Sequence, residues 1–354
     1  MKSTGIQLRT VRPPHLAILN SHVFHFVTLK EFAATRGHSL TDWFVFIYYE
    51  SDRRDLLDVY KAYLEKEQFV NYRFFPIAAV NGRTSKWSRS KNIAAMLSHL
   101  LFRWNTRRFQ TLLLGNYSSV SVRVFPNLLH YDELVYTDEG DSTLAVAKQR
   151  HALPGGPGVA RLHPRRLLRF PDAATFFTRY KELAFGHSDR VIHCDYRHTL
   201  RRKRTAVNTH QVLFLGNPYP KYDYILEQEY ANLVRRVAGS YQKQGISFLY
   251  KPHRMESENL LAALGADGIE IIRDGRPIEV YLGEMEVWPL HVASFLTTAF
   301  STLASVFSGE LKIVAYRLSK ETFLKKQEHF TAQYAYYEEH QREMNIELVE
   351  LPHA

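Results

Sequence analysis

At 354 residues the chain exceeds the size at which one hydrophobic core usually stops growing, and 45% hydrophobic with 13% aromatic content excludes a disordered protein. Lys and Arg number 46 against 36 Asp and Glu, a formal charge of +10 that favours anionic substrates or polyanions but says nothing of fold. The one cysteine, Cys194, rules out an intrachain disulfide and a cysteine-built zinc site, and no apolar run approaches the ~20 residues that span a bilayer.

Met1–Pro14 lacks the apolar stretch of a secretory signal, so a soluble cytoplasmic protein is expected, its basic surface able to rest peripherally on the inner membrane face. In chain order, His15–Ser21 reads as a strand and His25–Arg36 as a helix. Trp43–Tyr49 is a buried strand, Asp52–Tyr72 an amphipathic helix, Phe74–Val80 a third strand and Ser88–Phe109 a long helix. Thr111–Asn116 and Leu134–Thr137 are further strands, the last running into Asp138-Glu139-Gly140. Continuous apolar strands separated by helices predict a parallel sheet covered on both faces.

Leu153-Pro154-Gly155-Gly156-Pro157-Gly158 is the strongest break, and a basic stretch follows with Arg161, Arg165, Arg166, Arg169 and Arg201-Arg202-Lys203-Arg204. The alternation then restarts: strand Gln211–Leu215, helix Tyr224–Gln244, strand Ser247–Tyr250 and helix Ser257–Leu264. Strands Ile269–Ile272, His291–Thr297 and Leu311–Tyr316 complete a second set, and helix Glu321–Met344 closes the chain. The pattern predicts an α/β protein of two doubly wound, Rossmann-like domains with a ligand cleft between their strand ends. The expected boundaries are 1–155, a basic linker at 156–205, a second domain at 206–325 and a helical segment at 326–354.

Three strand-end stretches carry chemistry. Of Asp138 and Glu139, one can face the cleft and act as general base if burial lifts its pKa, while the other orients or caps; Asp141-Ser142 is then an N-cap. His253, between Lys251-Pro252 and Arg254, suits a phosphate, with cations for field and an imidazole for a hydrogen bond or proton. Ser301-Thr302, with Thr297 and Thr298 upstream, opens a helix at Leu303 whose N-terminus is an anion seat. Pro277-Ile278-Glu279 places a carboxylate where a ribose diol can bind, and Gly216-Asn217-Pro218 is a strand-end turn that backbone can offer to a ligand. Each stretch also has an ordinary reading as a turn or cap. No HExxH, GxGxxG after the first strand or GxxxxGK[ST] is present, and His187, His193 and His198 do not make a convincing ligand set.

The order and spacing of these motifs resemble the bacterial sialyltransferases with acidic-acidic-Gly, His-Pro and Ser-Ser/Thr motifs, of the lipooligosaccharide sialyltransferase and capsule polysialyltransferase type. The likeness runs from Leu16–Ser21 through Gly115-Asn116-Tyr117, Asp138-Glu139-Gly140, Gly216-Asn217-Pro218, Lys251-Pro252-His253 and Pro277-Ile278-Glu279 to Ser301-Thr302. Arg254 stands where that family usually has a second proline.

The resemblance implies a GT-B fold and an inverting, metal-independent transfer from CMP-sialic acid or a related nonulosonate, with no cofactor. Asp138 is then the base, with Glu139 the alternative, and His253 serves the leaving phosphate with Ser301 and Thr302. Gly216, Asn217, Lys251, Pro252 and Glu279 line the nucleotide, and Asn20, Ser21 and Asn116 the acceptor or sugar. The expected acceptor is an anionic or galactose-containing glycan, steered by the basic segment; no nucleic acid is expected. A GT-B enzyme using CMP-Kdo or a UDP-hexose, and a polyanion- or nucleic-acid-binding protein, are the competing readings.

Overall fold

The computed structural model describes residues 13–20, 23–50, 57–77, 107–117, 124–138, 142–151, 171–180, 183–200, 206–307 and 310–352, with 91, 94, 95, 98 and 122. Ser21, Glu139, the Leu153–Gly158 break, the arginines at 161–169 and the 201–204 cluster lie outside these residues. Two compact units, Met1–Thr199 and Leu200–Ala354, are each described by themselves.

The first unit is built on a seven-stranded, all-parallel sheet. Its elements are β1 (His15–Asn20), α1 (Val23–Thr35), β2 (Trp43–Glu50), α2 (Leu57–Lys66), β3 (Tyr72–Ile77), β4 (Arg108–Leu114), β5 (His130–Thr137), α3 (Ser142–His151), β6 (Thr175–Thr178) and β7 (Arg190–His193). The strand order is β3-β2-β1-β4-β5-β6-β7, a doubly wound sheet whose winding reverses between β1 and β4. Leu16 to Leu19 and Leu112 to Leu114 are fully buried, as expected of central strands covered on both faces.

Three expectations need correction here. The second helix stops at Lys66 because Gln68 turns left-handed (φ 62°), and Tyr72 already begins β3 beside Val45. The long helix predicted to Phe109 ends sooner, since Arg108 and Phe109 pair in β4 with His130 and Tyr131. The expected linker at 156–205 is in part sheet: β6 and β7 extend the first sheet, which carries the first unit to Thr199. Asp189 fastens this extension, accepting from Ala174 N–H at 3.0 Å and pairing with the buried Arg150 of α3.

The second unit repeats the plan on six parallel strands. Its elements are β8 (Ala206–Asn208), β9 (Gln211–Leu215), α4 (Glu227–Gln242), β10 (Ser247–Lys251), α5 (Glu258–Ala266), β11 (Glu270–Ile271), α6 (Ile278–Gly283), β12 (Val287–Pro289), β13 (Val292–Ser294), α7 (Ala299–Val306), β14 (Ile313–Arg317), α8 (Gln327–Glu339), α9 (Gln341–Met344) and β15 (Ile346–Glu350). The order β11-β10-β9-β13-β14-β15 reverses between β9 and β13, while β8 and β12 pair separately. The closing helical segment is corrected too. The helix breaks at His340, Asn345 turns left-handed (φ 50°), and the chain returns as edge strand β15 beside β14. No helix among the described residues is long and apolar enough to cross a membrane.

Candidate functional site

Open α/β sheets bind ligands at the carboxyl ends of their strands, at the point where the winding reverses. In the first unit that point lies between the ends of β1 and β4, at Asn20 and at Gly115-Asn116. Asn20 and Asn116 are both half-buried. Gly115 packs closely on its neighbours: a Cβ there would stand 3.0 Å from Leu19 and 3.1 Å from Nδ1 of His25, a buried α1 side chain. His25 therefore sits at the reversal point, a position that helical periodicity alone reads as plain core.

Asp138 follows β5 and is 3% exposed. Its Oδ2 accepts from the backbone N–H of Arg179 at 2.7 Å, just beyond β6, and Oδ1 takes no hydrogen bond among the described residues. A cavity of about 10 Å³, room for roughly one water, adjoins it and is lined by Tyr117, Tyr136, Thr143, Phe176 and Thr178 among others. Burial raises the Asp138 pKa; the Arg179 guanidinium and the nearby hydroxyls of Thr178 and Thr143 offset only part of that. A carboxylate that resists ionisation in a small, aromatic-lined pocket is equipped to hold a proton taken from a substrate. Arg179, itself buried, lies in the segment expected to be linker, and no local motif in the sequence marks it.

The second unit gathers its residues around the reversal between β9 and β13. Gly216 and Asn217 follow β9, but both face inward. Asn217 is 1% exposed, donates its amide to Leu296 O at 2.6 Å and accepts from the Ser294 hydroxyl at 3.0 Å, so it ties the two loops of the reversal point together. A Cβ at Gly216 would lie 2.2 Å from Glu256 Oε2 and 2.6 Å from the Tyr250 hydroxyl, so this glycine makes room for a neighbouring carboxylate.

Lys251 ends β10 and is 6% exposed. Its ammonium donates to Asp274 O at 2.6 Å and lies 4.9 Å from the Tyr281 ring centroid, so it braces the loop that leads to α6. Burial pulls its pKa down to about 8, against the pull of Asp274 and Glu279. The expectation that Lys251 and Arg254 flank His253 as a pair of cations is thus corrected: one ammonium is occupied inside the fold, and Arg254 alone is exposed. Glu279, in the first turn of α6 after Pro277, is buried.

Half-buried His253 follows Pro252. Its Nδ1 accepts from Met255 N–H at 3.2 Å, which leaves the ring proton on Nε2. Its backbone N–H donates to Glu256 at 2.7 Å. Glu256 was not anticipated from the sequence; burial lifts its pKa to about 7, even though it accepts hydrogen bonds from Tyr250 and His253.

Ser301 and Thr302 lie inside α7 rather than ahead of it, because the helix starts at Ala299 with the Thr297 hydroxyl accepting from Ala299 N–H at 3.3 Å. Both are buried in the first turns, and Ser301 Oγ takes no hydrogen bond among the described residues. A buried, unsatisfied hydroxyl at the start of a helix suits an anion. Among the described residues no three His, Cys, Asp or Glu side chains are grouped to hold a metal ion.

Residues 168–316, short of half the chain, match the family model "Alpha-2,8-polysialyltransferase (POLYST)". No curated protein matches the chain. Among solved structures, the UDP-GlcNAc 2-epimerase of Methanocaldococcus jannaschii aligns at TM-score 0.51 and 10% identity, over 85% of this chain and 83% of that one. MurG of Acinetobacter baumannii aligns at TM-score 0.45 and 10% identity, over 95% and 85%. A sialyltransferase from Photobacterium damsela aligns at TM-score 0.45 and 11% identity, over 95% and 81%. The fold is GT-B, two Rossmann-like units in one chain.

Proposed function

We propose that the protein is an inverting, metal-independent sialyltransferase that moves sialic acid, or a related nonulosonate, from its CMP donor to a glycan hydroxyl. The observation that carries this reading is the polysialyltransferase match across residues 168–316, which takes in Lys251-Pro252-His253, Glu279 and Ser301-Thr302 at strand and helix ends of the second unit. Under this reading Asp138 accepts the proton of the acceptor hydroxyl as its oxygen bonds to the anomeric carbon. The bond from that carbon to the phosphate oxygen breaks, and the electron pair leaves with CMP. His253 offers its Nε2–H to the departing phosphate, and Ser301 with the first turn of α7 receives the charge. Glu279 takes the ribose hydroxyls. Glu139 remains the alternative base.

The raised pKa of Asp138 supports its role, since a base working near neutrality must hold the proton it removes. The family match also favours a sialylated acceptor, so that transfer extends a chain of like residues on a capsule-type or lipooligosaccharide glycan. The excess of basic residues supports a cytoplasmic enzyme resting on an anionic membrane face where such acceptors are held.

Incubation with CMP-sialic acid and acceptors ending in galactose or in sialic acid, with and without EDTA, tests the proposal. Transfer that survives EDTA is expected. Neither transfer nor donor hydrolysis, or activity abolished by EDTA, would sink it. A thermal shift with UDP larger than that with CMP would move the donor to a UDP-hexose.

A further inference from the structure

Beneath His253 runs a line of hydrogen bonds that no motif announces. The backbone N–H of Asn217 donates to the Tyr230 hydroxyl at 2.7 Å, the Tyr230 and Tyr250 hydroxyls are 3.1 Å apart, and Tyr250 donates to Glu256 Oε1 at 2.5 Å. From the other side the His253 N–H donates to Glu256 Oε2 at 2.7 Å, and the Glu256 N–H returns to His253 O at 2.9 Å. The turn from His253 to Glu256 is therefore closed twice, once by backbone and once by the carboxylate. Tyr230 and Tyr250 are fully buried, so water does not compete for these bonds.

The donors and acceptors can be counted. Asn217 N–H cannot accept, so Tyr230 must pass its own proton to Tyr250, and Tyr250 must pass its proton to Glu256. Every arrow points to the carboxylate, which also receives His253 N–H. Both carboxyl oxygens must accept, so the ionised form satisfies the whole line, and these bonds work against the burial that lifts the Glu256 pKa to about 7. A carboxamide has one acceptor oxygen, so its NH2 would face either the Tyr250 hydroxyl or the His253 N–H and leave that donor without an acceptor, which costs more than never having formed the bond.

We propose that Glu256 is the positioning residue for His253: its carboxylate holds the 253–256 turn closed, so that Met255 N–H stays on Nδ1 and the ring proton stays on Nε2. Glu256 acts through His253 and touches no reacting atom. That His253 then serves a departing phosphate rests on the function proposed above; that Glu256 fixes its tautomer does not.

The two claims separate experimentally. In ¹⁵N-histidine-labelled protein, with His253 signals identified by their loss in His253→Asn, the wild type should show a protonated Nε2 and an unprotonated Nδ1. In Glu256→Gln both nitrogens should move toward the averaged values of a ring exchanging tautomers. With CMP-sialic acid, Glu256→Gln should lose roughly 10²-fold in kcat while donor KM changes little, the signature of a displaced group and not of lost binding. Tyr250→Phe, which keeps the ring and removes one donor, should shift the same nitrogens less. The double variant should be no worse than Glu256→Gln alone, because both act on one line. Unchanged His253 nitrogens in a folded Glu256→Gln, or an unchanged kcat, would overturn the proposal. If the wild type transfers nothing from CMP-sialic acid, the function reading falls, and the nitrogen shifts alone support or overturn the role of Glu256.

Discussion

Gly216→Ala offers a sharp test of the second unit's architecture. The added methyl would meet Glu256 Oε2 at 2.2 Å and the Tyr250 hydroxyl at 2.6 Å, both far inside van der Waals contact. Those atoms end flexible side chains, yet neither can retreat without cost. Oε2 holds the His253 N–H at 2.7 Å and Oε1 the Tyr250 hydroxyl at 2.5 Å. Hydrogen bonds to a charged group contribute about 1.5–3 kcal/mol each, and overpacking a tight site costs a similar 1–3 kcal/mol, so losing one bond or keeping the strain destabilises by about 2–3 kcal/mol. For a unit of this size that is a fall in Tm of roughly 5–10 °C. Calorimetry of Gly216→Ala, Glu256→Ala and the double variant is the assay. With Glu256 shortened the 2.2 Å clash is gone and the Tyr250 hydroxyl can move into the vacated space, so the double variant should lose clearly less than the sum of the two single variants. A Gly216→Ala loss under about 0.5 kcal/mol, or strict additivity, would refute the packing argument.

Three further outcomes are expected. Asp138→Asn should cut turnover by roughly 10²–10⁴-fold while holding or raising Tm, because the amide oxygen still accepts from Arg179 N–H and a buried ionisable group is gone; more than a tenth of wild-type activity would remove Asp138 as base. Asn217→Ala should lower unfolding stability by about 2–3 kcal/mol through its lost bonds to Leu296 and Ser294, with CMP affinity in the folded protein little altered; a selective loss of CMP binding would return it to the nucleotide site. His291 is held near pKa 4 by burial and by Lys312, against Glu347, and sits 2.6 Å from the Tyr241 hydroxyl. Its folded pKa lies below the ordinary 6.5, so its stabilising effect is complete above pH 6.5 and is lost as pH falls toward 4, by at most about 3 kcal/mol; urea midpoints in wild type and His291→Gln should diverge at pH 7 and converge near pH 4.

Much of the framework was legible because parallel strands buried on both faces are written as unbroken apolar runs. HLAILN and WFVFIYY could hardly be anything else, and their polar ends marked where a ligand would be met. Position along the chain was therefore readable where direction was not. Nothing local to Lys251 reports that its ammonium turns toward Asp274, and nothing local to Asn217 reports that both ends of its amide are occupied. Those facts depend on partners 23 and 79 residues away. The four-residue strands TFFT and RVIH were too short to stand out in a basic stretch, and the break at Asn345 rests on one left-handed residue. Glu256 was invisible for the same reason as its effect: its meaning is a line through Tyr250, Tyr230 and Asn217 that no periodicity encodes.

The Arg150–Asp189 pair has a consequence for how this chain can change. Arg150 Nη1 also donates to Pro171 O at 2.7 Å, and Asp189 receives Gly186 N–H at 2.8 Å, so α3 and the approach to β6 are pinned to one buried point. Arg150 and Asp189 stand 39 residues apart in the chain. One buried ion pair therefore makes α3 and the β6–β7 edge of the sheet a single mechanical piece, and neither can be repositioned by selection without the other.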